Sequence, residues 1–167
     1  MKEIEFDPVD GIAVGSVGEP GERTFMIQAR QGPVSATLII EKEQVVALAR
    51  QAFQLVQTVG LPEREEVDAI PASDLDDSEE PLWRVGEISI AYEKARDLIL
   101  LEFQEMTEEG YQPSSARFWV TRPQFLVLGR HGLEVASQGR PTCPWCWEPL
   151  EPGHFCVSTN GHSKPEL

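Results

Sequence analysis

Twice along this chain the spacing of the apolar residues changes from two to about 3.6, the mark of strands that give way to a helix. RTFMIQAR sets Phe25, Ile27 and Ala29 on one side and Thr24, Met26 and Gln28 on the other. GIAVGSV before it and the β-branched VSATLIIE after it read as further strands, and EIEF opens the chain as another. In EQVVALARQAFQLV, Val45, Leu48, Ala49, Ala52, Leu55 and Val56 form one helical stripe, which Gly60 and Pro62 end. The scheme then recurs. LWRVGEISIAYE and DLILLEFQEM read as strands joined through Lys94–Arg96, ARFWV as a third, and TRPQFLVLGRHGLEVASQG as a helix.

This second helix has a strong start. Thr121 and Gln124 have the spacing of a capping box, Pro123 falls in the first turn, and Val120 and Phe125 flank the cap as a hydrophobic staple would. Its apolar face includes Gly129 and Gly132, which cost helix propensity and so mark a close approach of another backbone. Shifted by 80 residues, LIIEKEQVVALAR lies over FWVTRPQFLVLGR, with Gln44 on Gln124, Leu48 on Leu128 and Arg50 on Arg130. The expected fold is α+β: two similar halves, each an antiparallel β-meander followed by a helix, packed in two layers, with a C-terminal zinc knuckle.

At 167 residues the chain has room for one domain with a small appendage. We place an α+β domain at 1–140 and a zinc-binding knuckle and tail at 141–167. No apolar run reaches the roughly 18 residues of a membrane span, and MKEIEFDPVDG lacks the pattern of a signal peptide. A cytoplasmic location is therefore expected. The net charge of −14 opposes binding to nucleic acid and to anionic membranes. Nine acids and one base, Arg64, fall within residues 62–81, so that stretch carries −8 of the total. Residues 61–81 read as an acidic loop or linker; DLDDSEE lacks the glycine and spacing of an EF-hand.

All three cysteines lie in CPWCWEPLEPGHFC. Cys143 and Cys146, two residues apart, can present two thiolates to one ion, and His154 and Cys156 fall on one side of an extended segment. Together they make a Cys₃His zinc site, with His162 as an alternative fourth ligand. CPWC also resembles the redox pair of glutaredoxins. Such a pair opens a helix after a strand, whereas this one follows a helix and is succeeded by Pro149 and Pro152. Four ligands in one short loop point to a closed structural zinc, with Trp145, Trp147 and Phe155 covering the ion or docking the knuckle.

GSVGEPGER, Gly15 to Arg23, is glycine-rich but lacks the lysine and hydroxyl of a P-loop. It reads as a hairpin turn, with Gly18, Gly21 and Arg23 as candidate ligand contacts. No Ser-His-Asp spacing, HExxH or dinucleotide fingerprint occurs. His131 reads as a surface residue of the second helix, and the pairs Asp7 with Asp10 and Glu41 with Glu43 as ordinary surface acids.

Several segments together resemble a bacterial family known as domain of unknown function 3090: DGIAVGSVGEPGERTFMIQAR, IIEKEQVVALA, WRVG and GRPTCPWCWEPLEPGHFC with NGH after it. The resemblance implies an uncharacterised protein with a zinc-finger-like tail. Trp147 and Val157 stand where that tail is expected to carry glycine and proline, and the four ligands remain in place. The expected function is a binding or adaptor module with a structural zinc, acting on a protein partner or a small molecule. The alternative is an enzyme or enzyme subunit that holds a small molecule or nucleotide at the 15–23 loop.

Overall fold

The alternation in residues 11–40 becomes a three-stranded antiparallel sheet in the computed structural model, which describes residues 1–19, 21–71 and 74–137. Strands β2 (Gly11–Val17), β3 (Thr24–Gln31) and β4 (Val34–Ile40) follow one another in that order, and helix α1 (Lys42–Val59) succeeds them. Val14 opposes Ile27, and Ile27 opposes Leu38, so the apolar set falls on one face. After a short helix α2 (Arg64–Asp68) come β5 (Val85–Glu93), β6 (Leu98–Glu105) and β7 (Ser115–Val120), again antiparallel neighbours, and then α3 (Arg122–Ser137). The first strand, β1 (Glu3–Phe6), pairs in parallel with β7 and completes a four-stranded sheet of order β1-β7-β6-β5. The chain is thus α+β with two sheets and three helices among the described residues.

The two sheets are stitched together at both sides. On one side Leu82 donates to the Thr37 carbonyl at 2.8 Å and Ile39 to that of Trp83 at 2.9 Å, which carries β4 onto the approach to β5. On the other side Val9 donates to Trp119 at 2.9 Å and Asp10 to Arg30 at 2.7 Å, so the turn between β1 and β2 passes from one sheet to the other. Backbone groups at the corners are thereby paired. Both sheets and both long helices contribute to one core, which runs from Phe6, Phe103 and Phe118 to Ile27, Leu38, Leu48 and Phe125. Phe6 and Phe118 stack at 5.5 Å between centroids.

Both long helices begin with a capping box. The Thr121 amide donates to Gln124 Oε1 at 2.9 Å, and the Gln124 amide to Thr121 Oγ1 at 3.1 Å. At α1 the pair is Glu41 and Gln44. The helices meet where α3 has its glycines. A Cβ on Gly129 would stand 3.0 Å from the Ala52 Cβ and 3.4 Å from the Ala49 Cα, and one on Gly132 would stand 3.1 Å from Val45 Cγ1. The close backbone approach read from the two glycines is the α1–α3 contact.

The acidic segment carries α2 and then lies across the outer face of β2–β4. The buried Gln28 side chain pairs with the backbone of Asp76 in both directions, each at 3.1 Å, and donates to Thr37 Oγ1 at 2.8 Å. Glu79 accepts from the Ser35 hydroxyl, and Leu75 packs over Gly15. A buried amide needs its partners, so Gln28 on the outer face has the strap as its complement. No described helix is long and apolar enough to cross a membrane. The proposed knuckle at 141–167, and the end of the 1–140 domain beyond Ser137, lie outside the described residues.

Candidate functional site

A cleft of about 650 Å³ opens between β2, α3 and the start of the acidic strap. Each wall follows from a local rule. On α3, Gln124, Val127, Leu128 and His131 recur at three- and four-residue spacing and so share one face. On β2, Ala13 and Val14 are buried on opposite faces of the strand, and with Leu128 they are the buried apolar part of the cleft lining. Gly11 leaves room above the strand: Nη2 of Arg30 lies 3.5 Å from where its Cβ would stand. Ile70, Pro71 and Asp74 close the third side.

The rim is charged. Asp10 is tied down, because its Oδ2 accepts the Gly32 N–H at 2.5 Å. His131 Nδ1 lies 3.6 Å from Glu134 Oε2, one turn along the helix. Arg30 and Arg130 complete the rim from β3 and α3. The Asp76 carboxyl is held below its ordinary range, first by the Ser78 hydroxyl and amide and last by the charge of Arg30, against a smaller opposing effect of burial. An apolar lining with a few convergent polar groups is the usual make-up of a small-molecule site.

The residues singled out from sequence are distributed otherwise. Gly18 and Gly21 sit in the β2–β3 turn with φ of 109° and 91°, the left-handed region that glycine tolerates, and Arg23 leads into β3. None of the three is among the cleft walls. Cys143, Cys146, His154, Cys156 and His162 lie outside the described residues. Among the described residues no group of three or more His, Cys, Asp or Glu could hold a metal ion. The surface acids have local partners: Asp7 pairs with Arg96 and Glu41 with Arg84.

Sequence reasoning did not single out Arg30 or Arg130 and read His131 as a surface residue; all three line the cleft. Of these only His131 carried a signal, its place just off the apolar stripe of α3. A second, shallower groove of about 470 Å³ lies between α1 and β5 and includes Gln44, Leu48 and Ile88. Gln44 and Leu48 stand 80 residues before Gln124 and Leu128 of the main cleft.

A family model described as "Protein of unknown function (DUF3090)" matches residues 4–156. The chain belongs to this family. No curated protein and no solved structure matches it. The DUF3090 match spans both sheets, all three helices and the cleft walls, and it runs on through Cys143, Cys146, His154 and Cys156. His162 falls beyond it. Membership in the DUF3090 family carries no activity.

Proposed function

We propose that this protein is a small-molecule-binding module whose ligand sits in the cleft between β2 and α3. The observation that carries the reading is a cleft whose lining joins the buried apolar Ala13, Val14 and Leu128 with charged side chains. The ligand adds contacts between α3, β2 and the strap, and binding to the folded state alone raises the melting temperature. Small-molecule fractions of a cell extract are therefore expected to raise it in the wild type and not in Val127→Trp, where an indole fills the cleft. Absence of any rise in the wild type contradicts the reading.

The tail is proposed as a structural zinc site. Three thiols and an imidazole within fourteen residues, Cys143, Cys146, His154 and Cys156, are the donor set that zinc prefers. His162 is the alternative to His154. Bound zinc would order the loop by joining its two ends, Cys143 and Cys146 to His154 and Cys156, and it would leave no open position for chemistry.

The two halves are proposed as repeats of one β-meander-and-helix unit packed in two layers. The 80-residue offset aligns Gln44 with Gln124, the third positions of the two capping boxes, and Ala49 with Gly129, which pack on each other. A second functional reading, an enzyme, attaches to His131 and Glu134 in the cleft wall rather than to the 15–23 loop. A histidine oriented by a carboxylate is the usual form of a general base.

A further inference from the structure

We infer that the ligand of the cleft carries an oxyanion, a carboxylate or a phosphate, held between Arg30 and Arg130; the inference rests on the cleft being a ligand site. The chain has twice as many acids as bases, so a surface arginine has no shortage of partners. Arg84, Arg96, Arg117 and Arg122 each lie within ion-pair distance of a carboxylate. Arg30 and Arg130 are exposed, and among the described residues their guanidinium groups have no ion pair and no hydrogen bond. Both line the same cleft, from β3 and from α3.

The nearby acids have other bonds: Asp76, whose carboxyl feels the charge of Arg30, is hydrogen-bonded to Ser78. Asp10 is engaged by the Gly32 amide, and Glu134 faces His131. Asp74 lines the cleft on the strap side, where it can accept from a hydroxyl or amine of the same ligand. A guanidinium presents forked donors that match the two oxygens of a carboxylate or phosphate, and charge-assisted bonds of this kind are the strong ones. The apolar part of the lining then takes the body of the molecule. The class that fits is a small organic acid or phosphate ester with an apolar or ring-shaped body.

Three probes separate the contributions: phenyl phosphate, benzoate and benzyl alcohol, titrated into the full chain while the backbone amides are followed by NMR. Phenyl phosphate or benzoate is expected to move the amides of Gly11–Val14 and Val127–Glu134 saturably, and benzyl alcohol to bind about tenfold more weakly or worse, the scale of one charged interaction. Arg30→Ala and Arg130→Ala should each weaken the anion about tenfold. Arg50→Ala, on an exposed position of α1 outside the cleft walls, should leave it unchanged. Equal binding of benzyl alcohol and phenyl phosphate, or wild-type binding by the Arg30→Ala/Arg130→Ala double variant, overturns the oxyanion while the cleft remains a ligand site. If neither anion moves those amides, the inference also fails; the melting-temperature assay with cell-extract fractions decides the cleft reading separately.

Discussion

Gly129 of α3 packs directly on Ala49 of α1, and a Cβ at Gly129 would lie 3.4 Å from the Ala49 Cα and 3.5 Å from its carbonyl oxygen. The two positions are 80 residues apart, like Gln44 and Gln124. Backbone stands on both sides of this contact, so neither helix can yield locally. Gly129→Val is expected to cost about 1–3 kcal/mol, the usual range for overpacking. Urea unfolding measures it, and a midpoint at or above that of the wild type would show that the helices separate freely.

The strap depends on Gln28. Its amide answers the N–H and C=O of Asp76 and also donates to the buried Thr37 hydroxyl. Gln28→Ala leaves Thr37 without that partner and releases the segment, at about 1–3 kcal/mol for an unsatisfied buried group. The Asp76 amide should then exchange with deuterium much faster, and its protection unchanged would rule out the pairing as the anchor.

Arg122 joins three elements. It holds both oxygens of Asp97 at 2.8 and 3.1 Å and donates to the Gly60 carbonyl at 2.6 Å, which ties the start of α3 to the β5–β6 turn and to the end of α1. The Arg122 side chain, and after a smaller opposing effect of burial the Tyr92 hydroxyl, hold the Asp97 carboxyl below its ordinary value. A depressed carboxylate contributes stability that is complete above its unfolded pKa, about 3.9, and is lost as pH falls through the folded value. Stability should therefore drop below about pH 4, and Asp97→Asn should flatten that part of the profile. An identical acid limb in the variant would show that other groups set it.

The proposed tail site makes a stoichiometric prediction. Protein prepared without chelator should hold one zinc per chain, and Cys143→Ser, Cys146→Ser, Cys156→Ser and His154→Ala should each lose it. His162→Ala should keep it. One equivalent retained by His154→Ala moves the fourth ligand to His162, and a metal-free wild type removes the site.

Local signals made the elements legible. Thr121 and Gln124 announced the start of α3, and Gly129 and Gly132 announced a close approach, because caps and glycines act through their neighbours in sequence. What crosses the chain was not legible. β1 pairs in parallel with β7, more than 100 residues away, and nothing in EIEF names its partner. Gln28 reads as an outward polar residue, and only the strap buries it. The cleft was hidden for the same reason: Arg30 and Arg130 are ordinary surface arginines until β2, β3 and α3 bring them to one rim.

The cleft between β2 and α3 is the proposed ligand site of this protein. Hydrogen–deuterium exchange of the full chain, with and without the extract fraction that raises its melting temperature, tests it most directly. Protection is expected at Gly11–Val14, at Ile70–Pro71 and along Val127–Glu134, where the ligand would cover the walls. Protection confined to the Gly18–Arg23 turn or to the β5 groove, with the cleft amides unchanged, would contradict it.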